Sequence, residues 1–458
     1  MNLKKRLISV AVIIAALIVV IAAVCLMHNG QGKISLSKLS QKETINIWYT
    51  DDAITDYLAS KALEFNDTTG IRVETKLVSG LEYLEEINKA SIAGEDFPDL
   101  YIISNDSLEK AYLAGLAAPV ADSSQNLFQN GFSQTARDAV SYHGKYIGYP
   151  MYFETSALLY NKTYLAQIAQ EAELSGEEQL IPGTIADILN FADQYTAPEN
   201  VEYIFRWDVS DIFYNYFFIG NYITVGGQAG DDKTQIDIYN SDAIASLKVY
   251  QELNQFFSIE PKESNYDSIM QEFIEGKTIY TIATSDCMKK IEDAKKEGSF
   301  PYEYGIASLP DINQDMKTKG MSVTNAVVIN GYSVHKNAAN EFAAYITGDE
   351  SADLYDMTGK ISAGVNAQKQ NEYVAAFGQN YSESVPIPKL LETSNFWVGL
   401  EICFSKVWDG EDANEQIRTL SEQIKTQLEG ITVEETLLED PKVELLPDDE
   451  YEDTGIGE

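Results

Sequence analysis

A chain of 458 residues is too long for one ordinary hydrophobic core and suits two domains of roughly 150–200 residues each. Its 45% hydrophobic content supplies such cores, while 71 Asp plus Glu against 33 Lys plus Arg leave a net charge of −38. That balance excludes nucleic acid, whose phosphates need clustered cations, and adhesion to anionic membranes through the folded surface. Only three His are present, none at metal-ligand spacing, so neither a metal site nor a cofactor is expected.

The first element is an export signal or anchor, residues 1–27. Lys4-Lys5-Arg6 precede an unbroken apolar run, Leu7 to Met27, long enough to span a bilayer with the positive end inside. The residues leave three fates open: an uncleaved anchor, lipidation at Cys25, or ordinary cleavage. A lipoprotein signal places a small residue before the modified cysteine, whereas Val24 precedes Cys25 here. Each fate exports the body, and the first two hold it at the extracellular face of the membrane. Residues 28–43 are polar and read as a tether.

The alternating run Thr44–Tyr49 predicts a strand that ends in Thr50-Asp51-Asp52. A helix carrying Tyr57, Leu58, Ala62 and Phe65 follows and stops at Thr69-Gly70, before a strand over 71–77. Residues 81–93 predict an amphipathic helix and 100–103 a further strand, so βαβ units and a mainly parallel sheet are expected. Tyr142 to Leu165 reads as a hairpin at His143-Gly144-Lys145, a strand to Pro150, a second strand 156–160, and a turn with helix cap at Asn161-Lys162-Thr163. Glu154 lies between these aromatic-rich strands, where a carboxylate is either satisfied locally or faces a cleft. Helices are predicted over 184–195, 213–222, 243–257, 268–275, 337–348, 396–406 and 414–428. Strands are predicted at 279–283, 304–310 and 325–329. Cys287 and Cys403 read as small buried hydrophobes, a bridge between them being the alternative. Residues 430–458 carry many acids and one lysine and read as a disordered tail. Asp311 to Asp315 opens like a calcium loop but has Met316 and Ser322 where the loop needs Gly and Glu, so calcium is set aside.

In open α/β sheets ligands sit beyond the carboxyl ends of strands. That rule singles out Thr50, Asp51 and Asp52, then Ser104, Asn105 and Asp106, then Glu154, then Ser285 and Asp286. Each set has a plainer reading as helix N-caps. Four such sets together point to a polar cleft between two halves of the chain.

Several stretches resemble the extracellular solute-binding proteins of ABC transporters, the maltose-binding-protein-like carbohydrate group. They are Tyr142–Leu165, Ala93-Gly94-Glu95-Asp96-Phe97-Pro98-Asp99-Leu100-Tyr101, Gly276 to Ile282, Tyr304-Gly305-Ile306 with Leu309-Pro310, and Asn395-Phe396-Trp397. The resemblance runs from about Ile45 to Leu428. It implies an α/β, two-lobed periplasmic-binding-protein-like fold, each lobe a mainly parallel sheet flanked by helices, joined by hinge strands. Lobe 1 is expected to be 44–153 with 326–380, and lobe 2 to be 154–325 with 381–429. The implied hinges are Phe153–Thr155 and Thr324–Ala326. Also implied is a binding protein, not an enzyme, that holds a sugar or oligosaccharide between its lobes and delivers it to a permease. In that family Asp106 and Glu154 match carboxylates that hold sugar hydroxyls, and Trp397 matches a stacking ring; Tyr152, Phe213 and Tyr214 are further aromatic candidates. This chain departs at Ile103 and Asp286, where the family member has tryptophan, and at Ser107 and Glu401, where it has arginine. Fewer rings and more acids leave open a smaller sugar, a differently linked oligosaccharide, or a polyamine or other cationic solute; a ligand sensor and a secreted glycoside hydrolase using two carboxylates are the alternatives from other classes.

Overall fold

The structure, a computed structural model, describes residues 43–257, 259–262, 264–391 and 395–443. The expected anchor, most of the tether, Cys25 and the end of the tail lie outside the described residues. No helix among the described residues is long and apolar enough to cross a membrane.

Ten strands make one mixed sheet: β1 (Thr44–Tyr49), β2 (Arg72–Leu77), β3 (Leu100–Ser104), β4 (Tyr149–Asn161), β5 (Tyr203–Phe205), β6 (Thr278–Thr284), β7 (Tyr304–Ala307), β8 (Met321–Ile329), β9 (Ile361–Ser362) and β10 (Val385–Pro386). The order is β2-β1-β3-β8-β4-β6-β5, with β7 and β9 also on β4 and β10 on β8. β1, β2 and β3 run parallel, as their crossover helices Thr55–Thr69 and Tyr83–Ala93 require. Gly70 closes the first of these helices at φ 78°, the left-handed conformation that only glycine adopts freely. β5 and β6 are likewise parallel. Where the chain passes between the two halves, its strands run antiparallel, β8 against β3 and β4, and β4 against β6, β7 and β9.

β4 is a single strand of 13 residues rather than the two expected. Its register on β8 shifts so that Tyr152 faces Asn325 and Pro150 faces Ala326. The bulge this creates is where proline, lacking an amide hydrogen, is tolerated inside a sheet. The first half of β4 pairs with β8 and β9, the second with β6 and β7. Twelve of its residues are buried, as continuous pairing on both sides demands, and Glu154 is the one that is not.

Two hydrophobic cores meet along β4. One gathers Ile47, Tyr57, Phe65, Tyr101, Tyr149 and Phe342; the other gathers Leu158, Trp207, Tyr250, Tyr280, Phe404 and Trp408. The segments expected to hinge are neighbours in register, Thr324 opposite Phe153 and Ser322 opposite Thr155. Phe153 stacks on Tyr381 with ring centroids 3.9 Å apart and planes 2° from parallel. Buried Asn105 ties the crossing together: its Oδ1 accepts the Thr324 amide at 2.9 Å and its Nδ2 donates to the Ile387 carbonyl at 2.8 Å.

Four stretches differ from expectation or add to it. The helix expected over 213–222 is one turn, Ile212–Asn215, and a 3-10 turn, Tyr216–Phe218. The Lys319 amide takes the Phe217 carbonyl that a continuing helix would need, so tertiary contact ends it. The strand-to-helix turn at Ser285 and Asp286 opens a helix, Asp286–Glu297, and a further helix not read from the sequence spans Glu372–Glu383. Residues 431–443, at the start of the presumed tail, make specific contacts. Glu435 accepts from Ser421 and Lys425, the Leu438 amide donates to Tyr239 Oη at 3.0 Å, and Asp440 pairs with Lys248 at 2.8 Å. Cys287 and Cys403 are both buried free thiols.

Candidate ligand cleft

Two cavities are lined by residues that the sequence singled out, one of about 880 Å³ and one of about 310 Å³. The larger lies between two unlike walls. On one side are Asp106, in the turn that ends β3, Glu154 on β4, and Thr358-Gly359-Lys360, which leads into β9. On the other are Asp211 to Tyr214, Tyr266, Thr284 to Asp286 and Trp397.

The second wall is built of rings. Tyr214 and Tyr266 stack with centroids 4.8 Å apart and planes 18° from parallel. Tyr266 is held by its hydroxyl, which donates to Asp286 Oδ1 at 2.7 Å and accepts the Thr284 amide at 3.3 Å. Lys290 sits 4.4 Å from the Tyr266 ring centre and pairs with Asp286 at 3.1 Å and Asp267 at 2.7 Å. Trp397, near the start of the helix Phe396–Trp408, is supported edge-on by Phe396 and at a tilt by Tyr216, while lining the cavity. Such rings offer flat apolar faces with polar rims.

The first wall is built of carboxylates. Lys360 Nζ lies 3.2 Å from Asp51 Oδ2 and 3.2 Å from Glu154 Oε1. Burial opposes the charge on Lys360, but Glu154 and Asp51 more than offset it, so its pKa rises and the ammonium persists. Tyr152 Oη donates to the same Asp51 oxygen at 3.3 Å. Asp106 accepts from the Ser104 and Ser107 hydroxyls and, among the described residues, forms no ion pair. Across the cavity Asp211 accepts the Phe213 amide at 2.8 Å, and burial, then nearby Asp208, raises its pKa. Burial, then Asp211, also raises the pKa of Glu401. Among the described residues no group of His, Cys, Asp and Glu is arranged to hold a metal ion.

A sequence profile described as bacterial extracellular solute-binding protein matches residues 62–377, most of the chain. The chain belongs to this family. It is 22% identical over 403 residues to the maltodextrin-binding protein MdxE of Bacillus subtilis, covering 83% of this chain and 90% of that one. It is 24% identical over 330 residues to the maltotriose-binding protein of Pyrococcus abyssi, covering 69% and 67%. Among solved structures, the extracellular solute-binding protein of Staphylococcus aureus in complex with maltose superposes with a TM-score of 0.72 at 22% identity, covering 85% of this chain and 99% of that one. The Thermus thermophilus maltotriose-binding protein superposes with a TM-score of 0.62 at 21% identity, covering 83% and 99%. The fold is therefore the two-lobed α/β fold of solute-binding proteins.

In this solute-binding protein the residues singled out by sequence divide between the cavities. Asp106, Glu154, Asp286 and Trp397 line the larger one, together with Phe213 and Tyr214. Thr50, Asp51, Ser104 and Tyr152 line the smaller. Asp52 lines neither; it is exposed at the start of a 3-10 turn. Asp51 also serves as that turn's cap, accepting the Ala53 amide at 3.0 Å, so the plain and the functional readings coexist there. Asp286 is largely occupied by Tyr266, Thr284 and Lys290, which makes it a support for the ring wall. Three contributors were not singled out by sequence: Lys360 after a glycine helix stop, Tyr266 at a helix start, and Lys290 inside the helix Asp286–Glu297. Each reaches the cleft only through tertiary packing.

Proposed function

We propose that this chain is a sugar receptor that captures an oligosaccharide in the larger cavity and passes it to the permease of an ABC importer. The observation that carries the reading is the pairing of a ring wall, Tyr214, Tyr266 and Trp397, with a carboxylate wall, Asp106 and Glu154, across about 880 Å³. Carboxylates accept hydrogen bonds from neighbouring sugar hydroxyls, and charged acceptors bond more strongly than neutral ones. The C–H faces of sugar rings stack on aromatic side chains. The relatives bearing maltodextrin and maltotriose in their names support the same ligand class. In this role the protein binds and releases its ligand and performs no chemical step. Capture proceeds by closure of the lobes about β4 and β8, the hinge motion of periplasmic binding proteins as a class. The apolar run Leu7–Met27, or lipid on Cys25, tethers the receptor to the outer face of the membrane.

A second reading, a cationic solute such as a polyamine, is favoured by Asp106 and Asp211, which form no ion pair among the described residues. A thermal-shift screen of maltose to maltoheptaose against spermidine and putrescine separates the two. A ligand at 100 times its dissociation constant adds about 2.7 kcal/mol. Stabilisation by sugars that disappears in Glu154→Ala supports the proposal, and stabilisation by polyamines alone overturns it.

A further inference from the structure

The two cavities share no lining residue, and one side chain joins their linings. Lys360 and Glu154 belong to the larger cavity, while Asp51 and Tyr152 belong to the smaller. The ammonium of Lys360 touches a carboxylate on each side, Glu154 at 3.2 Å and Asp51 at 3.2 Å. Its position is imposed by the sheet. β9 pairs with β4 through Ile361 opposite Phe153 and Ser362 opposite Tyr152, and one step back along that register sets Lys360 opposite Glu154. Gly359, at φ 75°, ends the preceding helix and turns the chain into that register. Tyr152 completes the barrier by donating to the same Asp51 oxygen, with its ring 5.6 Å from the ammonium.

We propose that Lys360 is a specificity-determining partition. Held between Asp51 and Glu154, its side chain closes the larger cavity to the smaller and limits the length of oligosaccharide the cleft accepts. The inference rests on the carbohydrate reading above. Without the lysine, the Asp51 carboxylate faces a continuous space about 310 Å³ larger, in which another sugar unit finds a hydrogen-bond acceptor. An arginine at the same position keeps both the charge and the bulk, so it preserves the barrier.

The test is isothermal titration of the full chain, in mild detergent, with maltose, maltotriose, maltotetraose and maltohexaose. The proteins compared are wild type, Lys360→Ala, Lys360→Arg and Asp51→Asn. In wild type, affinity stops rising at a certain chain length. In Lys360→Ala the next longer sugar gains about tenfold over that plateau, about 1.4 kcal/mol, and Lys360→Arg keeps the wild-type profile. Asp51→Asn, which frees one end of the bridge, shifts preference the same way by less and serves if the alanine variant does not fold. Equal loss of affinity for every length overturns the proposal, because Lys360 is then an ordinary ligand contact. An unchanged length profile overturns it as well while leaving the carbohydrate reading intact. If wild type binds none of the sugars, both fall together.

Discussion

Lys389 is fully buried beside the crossing, and its titration gives a measurable stability signature. Its ammonium donates to the carbonyls of Asp138, at 2.9 Å, and Ala229. Asp138 lies between Ala136 and Val140 of one core, and Ala229 between Ile223 and Ile238 of the other, so one cation staples both. Burial lowers its pKa from 10.5 to about 8, against the pull of Asp231 and Asp138. The folded state therefore releases the proton more readily than the unfolded chain. Between pH 8 and 10.5 the unfolded chain holds more protons, so stability attributable to this group rises with pH. The gap from 10.5 to about 8, at about 1.36 kcal/mol per pH unit, corresponds to about 3 kcal/mol. That cost is present in full below pH 8 and is relieved as pH approaches 10.5. Lys389→Met removes the titration and orphans two carbonyls, a loss of about 1–3 kcal/mol each that does not depend on pH. Urea denaturation of both proteins from pH 7 to 10 cancels the tyrosines, which titrate in each. The difference should drift in favour of wild type by about 2–3 kcal/mol as pH rises across that range. A difference that stays flat would refute the buried-charge argument.

Three further outcomes are expected. Trp397→Ala should weaken sugar affinity roughly tenfold in calorimetry while shifting the melting temperature little, because the ring lines the cavity; a large loss of melting temperature with intact affinity would instead make it a packing anchor. Phe153→Ala removes a fully buried ring stacked 3.9 Å from Tyr381 and should cost about 3–5 kcal/mol in urea denaturation. Burial pushes the Cys403 thiol up to about 12 and raises that of Cys287, so neither should react with an aromatic disulfide reagent at pH 8 until the protein unfolds. Rapid reaction of more than the one remaining cysteine, Cys25, in the native protein would contradict that burial.

Much of this protein was legible in local patterns, because local patterns are set by local forces. Alternating apolar residues gave β1, Gly70 stopped a helix where a left-handed residue was needed, and Asn161 caps the helix Lys162–Glu171 by accepting the Tyr164 amide. Glu154 stood out as a lone carboxylate in an apolar run, and it is the one residue of β4 that is not buried. Asp106 followed from its place just after a strand and Trp397 from likeness to a family, and both line the larger cavity.

Other features depend on contacts between residues far apart in the chain, which no periodicity encodes. The Lys319 amide ends the turn after Tyr214 from about a hundred residues away. Tyr266 is set against Tyr214 by Thr284 and Asp286 at the end of another strand. Lys360 joins Asp51 to Glu154 only because a two-residue strand pairs with β4 in one register. Hydrophobic spacing and helix signals, acting over a few residues, set the elements and the class of fold. The meeting of Lys360 with both Asp51 and Glu154 is decided by packing that exists only after the chain has crossed between its lobes.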